Sequence, residues 1–274
     1  MSVPMITVFT KPWTEPLPEL ADKIAELGFG GVELAVRPGY QVLPENVGRD
    51  LPRAARIFAE RGLKIASIAG PTDEATIAAC GDAGVPIIRI CCAIDMSIGY
   101  LASLERYRRE FDALLPALDR FGVAIGVQNH YGTHVGSAVG MLHFIEKYDP
   151  RHICAVLDMA HCAMDGEPTA MAVDIVKDRL NGLVNFKSAF RVRVNGPEEE
   201  AVYRVHWTTA RHSGYSWREL VRCLKDIGFN GTFCMPAEYS HPSGNGQRMG
   251  DDVLPFLKED IAHLKSIMAE TGYI

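Results

Sequence analysis

Ala155-Val156-Leu157-Asp158-Met159-Ala160-His161-Cys162 is the stretch from which the fold of this chain can be worked out. Its apolar residues continue a run that begins at position 153, and the run ends in an aspartate. A histidine follows three residues later, before residues 166–168 lead into a helix. A buried strand with a carboxylate at its C-terminal end is how α/β barrels present catalytic groups, although an aspartate at this place can also cap a turn.

Strands and helices are predicted to alternate along the whole chain. Apolar, β-rich segments lie at residues 5–9, 31–35, 63–68, 85–92, 123–128, 153–158, 183–187 and 232–235. Helical spacing of apolar residues lies between them, at 17–27, 51–61, 73–80, 101–121, 139–148, 171–180, 217–227 and 253–267. Eight such units predict a (β/α)8 TIM barrel, as a single domain over residues 1–274. No G-x-G-x-x-G motif follows the first strand, which weakens the alternative of an open dinucleotide-binding sheet.

Charge and composition argue against nucleic acid and membranes as partners. The 274 residues carry a net charge of −6, which gives no reason to expect a nucleic-acid partner. No apolar run is long enough to span a membrane, and the first fifteen residues lack the apolar core of a signal peptide. Seven cysteines, an odd number, do not suggest a disulfide framework, so we expect a reducing, cytoplasmic location.

Polar side chains gather where the predicted strands end. Residues two apart on a strand share a face, so these side chains should meet at the mouth of the barrel. The group comprises Lys11, Glu33, Gln128, His130, Asp158, His161, Asn185, Lys187 and Glu238. Burying so many polar groups without partners would cost several kcal/mol each, so the group predicts a functional pocket.

The segment 202–212 mixes aromatic and basic residues and is predicted to lie over this mouth. Trp207 could stack on the apolar face of a sugar, and Arg204 or Arg211 could bind a carboxylate or phosphate. The same residue types are enriched at subunit interfaces, so a homo-oligomer is the alternative reading.

The chain resembles the xylose isomerase-like barrel family of sugar phosphate isomerases and epimerases. The resemblance covers nearly the whole chain and rests on five short stretches. These are Gly30-Gly31-Val32-Glu33-Leu34, Gln128-Asn129-His130, Leu157-Asp158-Met159-Ala160-His161, Asn185-Phe186-Lys187, and Ser216-Trp217 followed by Gly228-Phe229-Asn230-Gly231. It implies a small-molecule sugar, or a sugar derivative, as the substrate.

The resemblance also implies a divalent metal held by Glu, Asp, His and Glu at the ends of strands five to eight. Those positions are Gln128, Asp158, Asn185 and Pro236 here, so only the aspartate is kept. We therefore expect at most a weak site for Mn²⁺ or Mg²⁺, formed by Gln128, Asp158, Asn185 and Glu238. A displaced zinc site of His130, Asp158, His161 and Glu238 is the alternative.

Isomerisation, epimerisation and β-elimination all begin with removal of a proton next to a carbonyl, which needs a base and a positive partner for the enolate. We predict Lys187, Glu238 and His130 as catalytic residues. Lys187 and Glu238 could instead simply form an ion pair on adjacent strands. The residues predicted to bind substrate are Lys11, Glu33, Asp158, His161, Trp207 and Arg211.

Two functions remain open at this point. The polar mouth favours a sugar isomerase, epimerase or related lyase with weak or no metal dependence. The lost ligand positions favour a non-catalytic sugar-binding or regulatory barrel. An abasic-site endonuclease of the same fold is disfavoured, because these strand ends do not supply a multi-zinc cluster.

Overall fold

The structure, a computed structural model, describes residues 3–244 and 246–274. Eight parallel strands close into a barrel. Their bounds are β1 Met5–Phe9, β2 Gly31–Ala35, β3 Lys64–Ala69, β4 Ile87–Cys91, β5 Ala124–Gln128, β6 Ile153–Asp158, β7 Leu180–Asn185 and β10 Thr232–Met235. Around the barrel they lie in the order β1-β10-β7-β6-β5-β4-β3-β2. The predicted TIM barrel is confirmed.

Helices follow the strands and cover the barrel. Their bounds are α1 Leu17–Glu26, α2 Val47–Ala59, α3 Glu74–Ala83, α4 Tyr100–Phe121, α5 Ala138–Ile145, α6 Met159–Met164, α7 Thr169–Val176, α8 Trp217–Asp226 and α9 Leu254–Thr271. Helix α1 shows why they pack as they do, because Leu20, Ala21 and Ile24 lie on one face and are buried. Burying a Leu or Ile side chain contributes about 1.5–3 kcal/mol. None of the helices in the described ranges combines the length and apolar character needed to cross a membrane.

Strand β6 explains the pattern in the opening stretch. Every residue from Ile153 to Asp158 is buried, because the barrel interior covers one face of the strand and helices cover the other. The sequence therefore reads as a continuous apolar run rather than as an alternation. Asp158 pairs in register with Asn185 of β7, so the two side chains stand next to each other at the strand ends.

Two elements differ from the sequence-based expectation. A short helix, α6, begins directly after β6, where the sequence predicted a loop before the next helix. The polar segment after β7 forms an antiparallel hairpin of β8 Ser188–Arg193 and β9 Tyr203–Thr208. Its apolar residues alternate with polar ones, a strand signal that the overall polarity of the segment masked. All seven cysteines are free, and residues 1, 2 and 245 of the predicted domain lie outside the described residues.

Candidate active site

A small polar cavity lies at the C-terminal ends of the barrel strands. Its volume is about 150 Å³. Six of the residues predicted for the mouth line it, namely Lys11, Gln128, His130, Asn185, Lys187 and Glu238. A larger cavity of about 800 Å³ surrounds the opposite strand ends, near Lys64 and Thr232, and is lined by none of the predicted residues. Because TIM-barrel chemistry takes place at the C-terminal face, the smaller cavity is the candidate site.

The Lys187 ammonium lies between two carboxylates. Its Nζ atom is 3.1 Å from Oδ2 of Asp158 and 2.9 Å from Oε2 of Glu238. Lys187 lies two residues beyond the end of β7 at Asn185, and both side chains line the cavity. The side chain is almost fully buried yet lines the cavity. The ion pair that the sequence suggested between Lys187 and Glu238 is thus present, and Asp158 is a second partner.

These contacts keep the site charged. Burial disfavours the ammonium, but attraction to Asp158 and Glu238 raises the pKa of Lys187 above its ordinary value. Burial likewise opposes ionisation of Glu238, yet Lys187 and Lys11 lower the pKa of this carboxyl well below its usual range. Lys187 is therefore a fixed cation and Glu238 a weak base near neutral pH.

An unusual backbone turn brings Glu238 inward. Strand β10 ends at Met235, and Ala237 adopts a left-handed conformation with φ of 54°. This conformation costs an alanine about 1–2 kcal/mol. The turn places the Glu238 carboxylate between two lysines, because Oε1 also accepts a hydrogen bond of 2.8 Å from Lys11. Lys11 donates a second bond, of 2.7 Å, to the side chain of Gln247.

Asp158 is held by amides as well as by lysine. Nε2 of Gln128 donates to its Oδ2 at 2.7 Å, and Nδ2 of Asn185 lies 3.4 Å from the same atom. The side chain of Asn129 bonds both the backbone N–H and the backbone carbonyl of Asp158. Burial raises the pKa of the Asp158 carboxyl while Lys187 acts in the opposite direction. Among the described residues, Oδ1 of Asp158 has no hydrogen-bond partner.

Aromatic side chains pack against one another beside the Lys187 ammonium. His161 is fully buried among them, with its ring centroid 4.2 Å from that of His130 and 5.6 Å from that of Trp207. Trp207 belongs to the hairpin, and its ring centroid lies 4.7 Å from Nζ of Lys187. Tyr131 packs against both His161 and Trp207. The hairpin therefore covers the lysine with an aromatic face, a contact that cations favour.

His130 presents a neutral imidazole to the cavity. Its Nδ1 lies 2.9 Å from the backbone carbonyl of Tyr131, so Nδ1 carries the proton and donates it to that oxygen. This leaves Nε2 as a proton acceptor. Burial is the largest cause that lowers the pKa of His130, to about 4, and the charge of Lys187 acts in the same direction. The ring is uncharged at neutral pH.

Glu33 is engaged elsewhere in the barrel. Its two oxygens accept hydrogen bonds from Nε of Arg89 at 3.0 Å and from Nη2 of Arg89 at 2.5 Å, and the Ser67 hydroxyl donates to it at 3.1 Å. These residues lie on β2, β3 and β4 inside the barrel. Glu33 is fully buried and does not line the cavity, whereas Arg89 does. Glu33 thus supports Arg89 inside the barrel, and its predicted role in substrate binding stays a prediction.

A model of the family described as xylose isomerase-like TIM barrel matches residues 21–267 of this sequence. The chain belongs to this family. Curated protein sequences give no match. Among solved structures, an L-ribulose 3-epimerase is 15% identical to this chain with a TM-score of 0.75. The aligned region covers 98% of this chain and 95% of the epimerase chain. The 3-keto-D-glucoside 4-epimerase of E. coli is 14% identical with a TM-score of 0.70, and the aligned region covers 96% of this chain and 99% of that epimerase chain. At these identities the likeness concerns the fold.

The metal that the resemblance to the xylose isomerase-like barrels implies does not fit these residues. Of the four family positions, only Asp158 offers a carboxylate, since the others are Gln128, Asn185 and Pro236. The Lys187 ammonium already lies between Asp158 and Glu238 and would repel a second cation. In residues 3–244 and 246–274, no group of three or more His, Cys, Asp or Glu could hold a metal ion. The contacts therefore support neither the predicted Mn²⁺ or Mg²⁺ set nor the alternative zinc set.

Several predicted residues lie outside the cavity of this xylose isomerase-like barrel. The Arg211 side chain is 75% exposed and faces Glu259 of α9, with Nε 3.4 Å from Oε1, so its predicted role in substrate binding stays a prediction that this position does not favour. Asp158 and His161 are fully buried and do not line the cavity. Two charged cavity residues were missed, Arg37 and Arg89. Both follow apolar strand residues closely, and a search for charges inside strand segments would have found Arg89.

Proposed function

We propose that this chain is a sugar isomerase or epimerase that removes a proton next to a carbonyl and works as a single barrel domain. The observation that carries the proposal is the Lys187 ammonium, held between Asp158 and Glu238 beside a cavity at the C-terminal face. The family match and the epimerases among the fold neighbours are consistent with it.

Lys187 supplies the positive charge that the reaction needs. Removing a proton next to a carbonyl places negative charge on the carbonyl oxygen, and a preorganised cation stabilises that oxyanion. An ammonium has three N–H donors, of which Asp158 and Glu238 occupy two, so one remains for the substrate oxygen. Because its two partners fix Lys187, little reorganisation is needed during the reaction.

His130 is the group best suited to act as base. Its Nε2 accepts a proton from the substrate carbon, and Nδ1 keeps its bond to the Tyr131 carbonyl. Return of the proton to the neighbouring carbon, with transfer of the hydroxyl proton on that carbon to the former carbonyl oxygen, completes an isomerisation. An epimerisation also needs a proton donor on the opposite face of the same carbon, because a single base returns the proton to the face from which it came. Glu238 is less suited, because two lysines hold it as a weak base.

The experiment follows deuterium into sugars in D₂O by proton NMR, using a panel of ketoses and aldoses. We expect exchange at a carbon next to the carbonyl of at least one sugar, and loss of this exchange in Lys187→Met. Lys177→Met is the matched control, since that lysine lies on the surface and pairs with Asp174. Exchange that survives in Lys187→Met would contradict the proposal.

A sugar-binding protein without catalysis is the second candidate. It is favoured by the engagement of Glu238 with two lysines, which weakens a carboxylate that could otherwise act as base. Thermal stabilisation by a sugar with no deuterium exchange in any tested sugar would support this second function over the first.

A further inference from the structure

Arg37 is a cation without a partner at the cavity. It follows β2 by two residues and lines the cavity, with Cζ 5.3 Å from the centre of the Phe9 ring. Within the part of the chain that the structure describes, its guanidinium makes no hydrogen bond and no ion pair. Its backbone is fixed by two bonds, from its N–H to the Val42 carbonyl and from Tyr40 to its own carbonyl. The backbone of Arg37 is thus fixed, and the guanidinium lies at the cavity with its donors free.

We propose that the substrate of this site is an anionic sugar, one that carries a carboxylate or a phosphate, and that Arg37 binds this group. The inference rests on the proposed function for the sugar part of the ligand. A guanidinium matches the geometry of either anion with two parallel N–H donors.

Charge around the cavity favours an anion. Four cations lie here, Lys11, Arg37, Arg89 and Lys187, against three carboxylates that contact them, Glu33, Asp158 and Glu238. Each carboxylate is engaged by Lys11, Arg89 or Lys187, so Arg37 is the cation that remains uncompensated. Burial and the nearby charge of Arg89 lower the pKa of Arg37, the direction expected for a buried cation without a carboxylate partner. An anion bound there would supply this partner.

Other arginines near the mouth are less suited to the role. Arg89 uses Nε and Nη2 on Glu33. Arg204 is exposed and donates to the carbonyl of Gly244, and Arg211 faces Glu259 on the outer surface. The cavity of about 150 Å³ is smaller than the range of about 300–1,000 Å³ common for ligand pockets, which fits a compact ligand anchored by charge.

The test compares three matched probes, D-fructuronate, D-fructose 6-phosphate and D-fructose, by thermal shift and by deuterium exchange. With the unmodified protein, we expect one anionic probe to bind about 10- to 100-fold more tightly than D-fructose. The preferred anion distinguishes a carboxylate from a phosphate. Arg37→Met should abolish the preference, and Arg37→Lys should keep part of it. Arg49→Met is the matched control, because Arg49 is a surface residue paired with Asp50.

The outcomes separate this inference from the proposed function. Equal binding of D-fructose and both anionic probes, or an anion preference that persists in Arg37→Met, would overturn the inference. Turnover of D-fructose alone would overturn the inference and leave the proposed function intact. Arg37-dependent binding of an anionic probe without deuterium exchange in any probe would support the anion site and count against the proposed function.

Discussion

Nζ of Lys187 lies 3.1 Å from the Asp158 carboxylate, at the point where β6 and β7 end side by side. Asp158 is the one acidic residue at the four positions that the family resemblance assigns to a metal. The Lys187 ammonium thus supplies positive charge at Asp158, the carboxylate that the family resemblance implies as a metal ligand. This relationship leads to the following predictions.

Replacing Lys187 by Met should reduce deuterium exchange by about 10²–10³-fold, the usual effect of removing one donor to a developing oxyanion. The fold should persist with lower stability, because the buried Asp158 carboxylate loses its cationic partner. Exchange rates by NMR and near-UV circular dichroism measure the two effects. Lys177→Met should leave both unchanged, and a similar loss of exchange in that control would show that the effect is not specific to the site.

Removing the ammonium should also create a cation site. In Lys187→Ala, Asp158 and Glu238 lose their shared partner and can bind a hard divalent cation through their oxygens. We expect millimolar Mn²⁺ to raise the melting temperature of Lys187→Ala and to leave that of the unmodified protein unchanged, as followed by calorimetry. Equal Mn²⁺ stabilisation of both proteins would contradict the role assigned to Lys187.

The pH dependence of activity should report His130. Its pKa is lowered to about 4, so the neutral base form is present above that value and is lost as the pH falls through it. We expect kcat/KM to decrease below about pH 4–5 and to be level towards pH 7, in a profile measured with the exchanging sugar. In His130→Gln, exchange should fall and this acidic limb should disappear. A decrease of kcat/KM near pH 6.5 instead would mean that burial does not lower the pKa of His130.

The Glu33–Arg89 pair should matter for stability more than for chemistry. Glu33→Ala leaves the Arg89 guanidinium buried without a carboxylate, which typically costs about 3–5 kcal/mol. Urea unfolding measures this loss. The double variant Glu33→Met with Arg89→Met removes both charges and should recover most of the stability. If the double variant were as unstable as Glu33→Ala, the cost would lie in packing rather than in the unpaired charge.

Much of the barrel could be predicted because its signals are local. β1, β2 and β6 have the expected bounds, since each is a short apolar run ended by polar residues. Asn185 and Lys187 both line the cavity, as the sequence predicted, although β7 ends at Asn185. The contact between Lys187 and Glu238 could be anticipated as an ion pair of adjacent strands.

The remaining features depend on distant parts of the chain. Glu33 and Arg89 lie on β2 and β4, with β3 between them, so no local pattern pairs them. The left-handed backbone of Ala237 is a conformation that glycine adopts far more readily, so the residue type gives no sign of it. Arg37 lies in a loop, and its lack of a partner becomes evident only when its neighbours are known.

Deuterium exchange by protein freed of metal with a chelator tests the central claim most directly. The account predicts that chelated protein in D₂O still exchanges the proton next to the carbonyl of its sugar, at a rate that added Mn²⁺ does not increase. Exchange that vanishes on chelation and returns with Mn²⁺ would contradict the role of the Lys187 ammonium between Asp158 and Glu238.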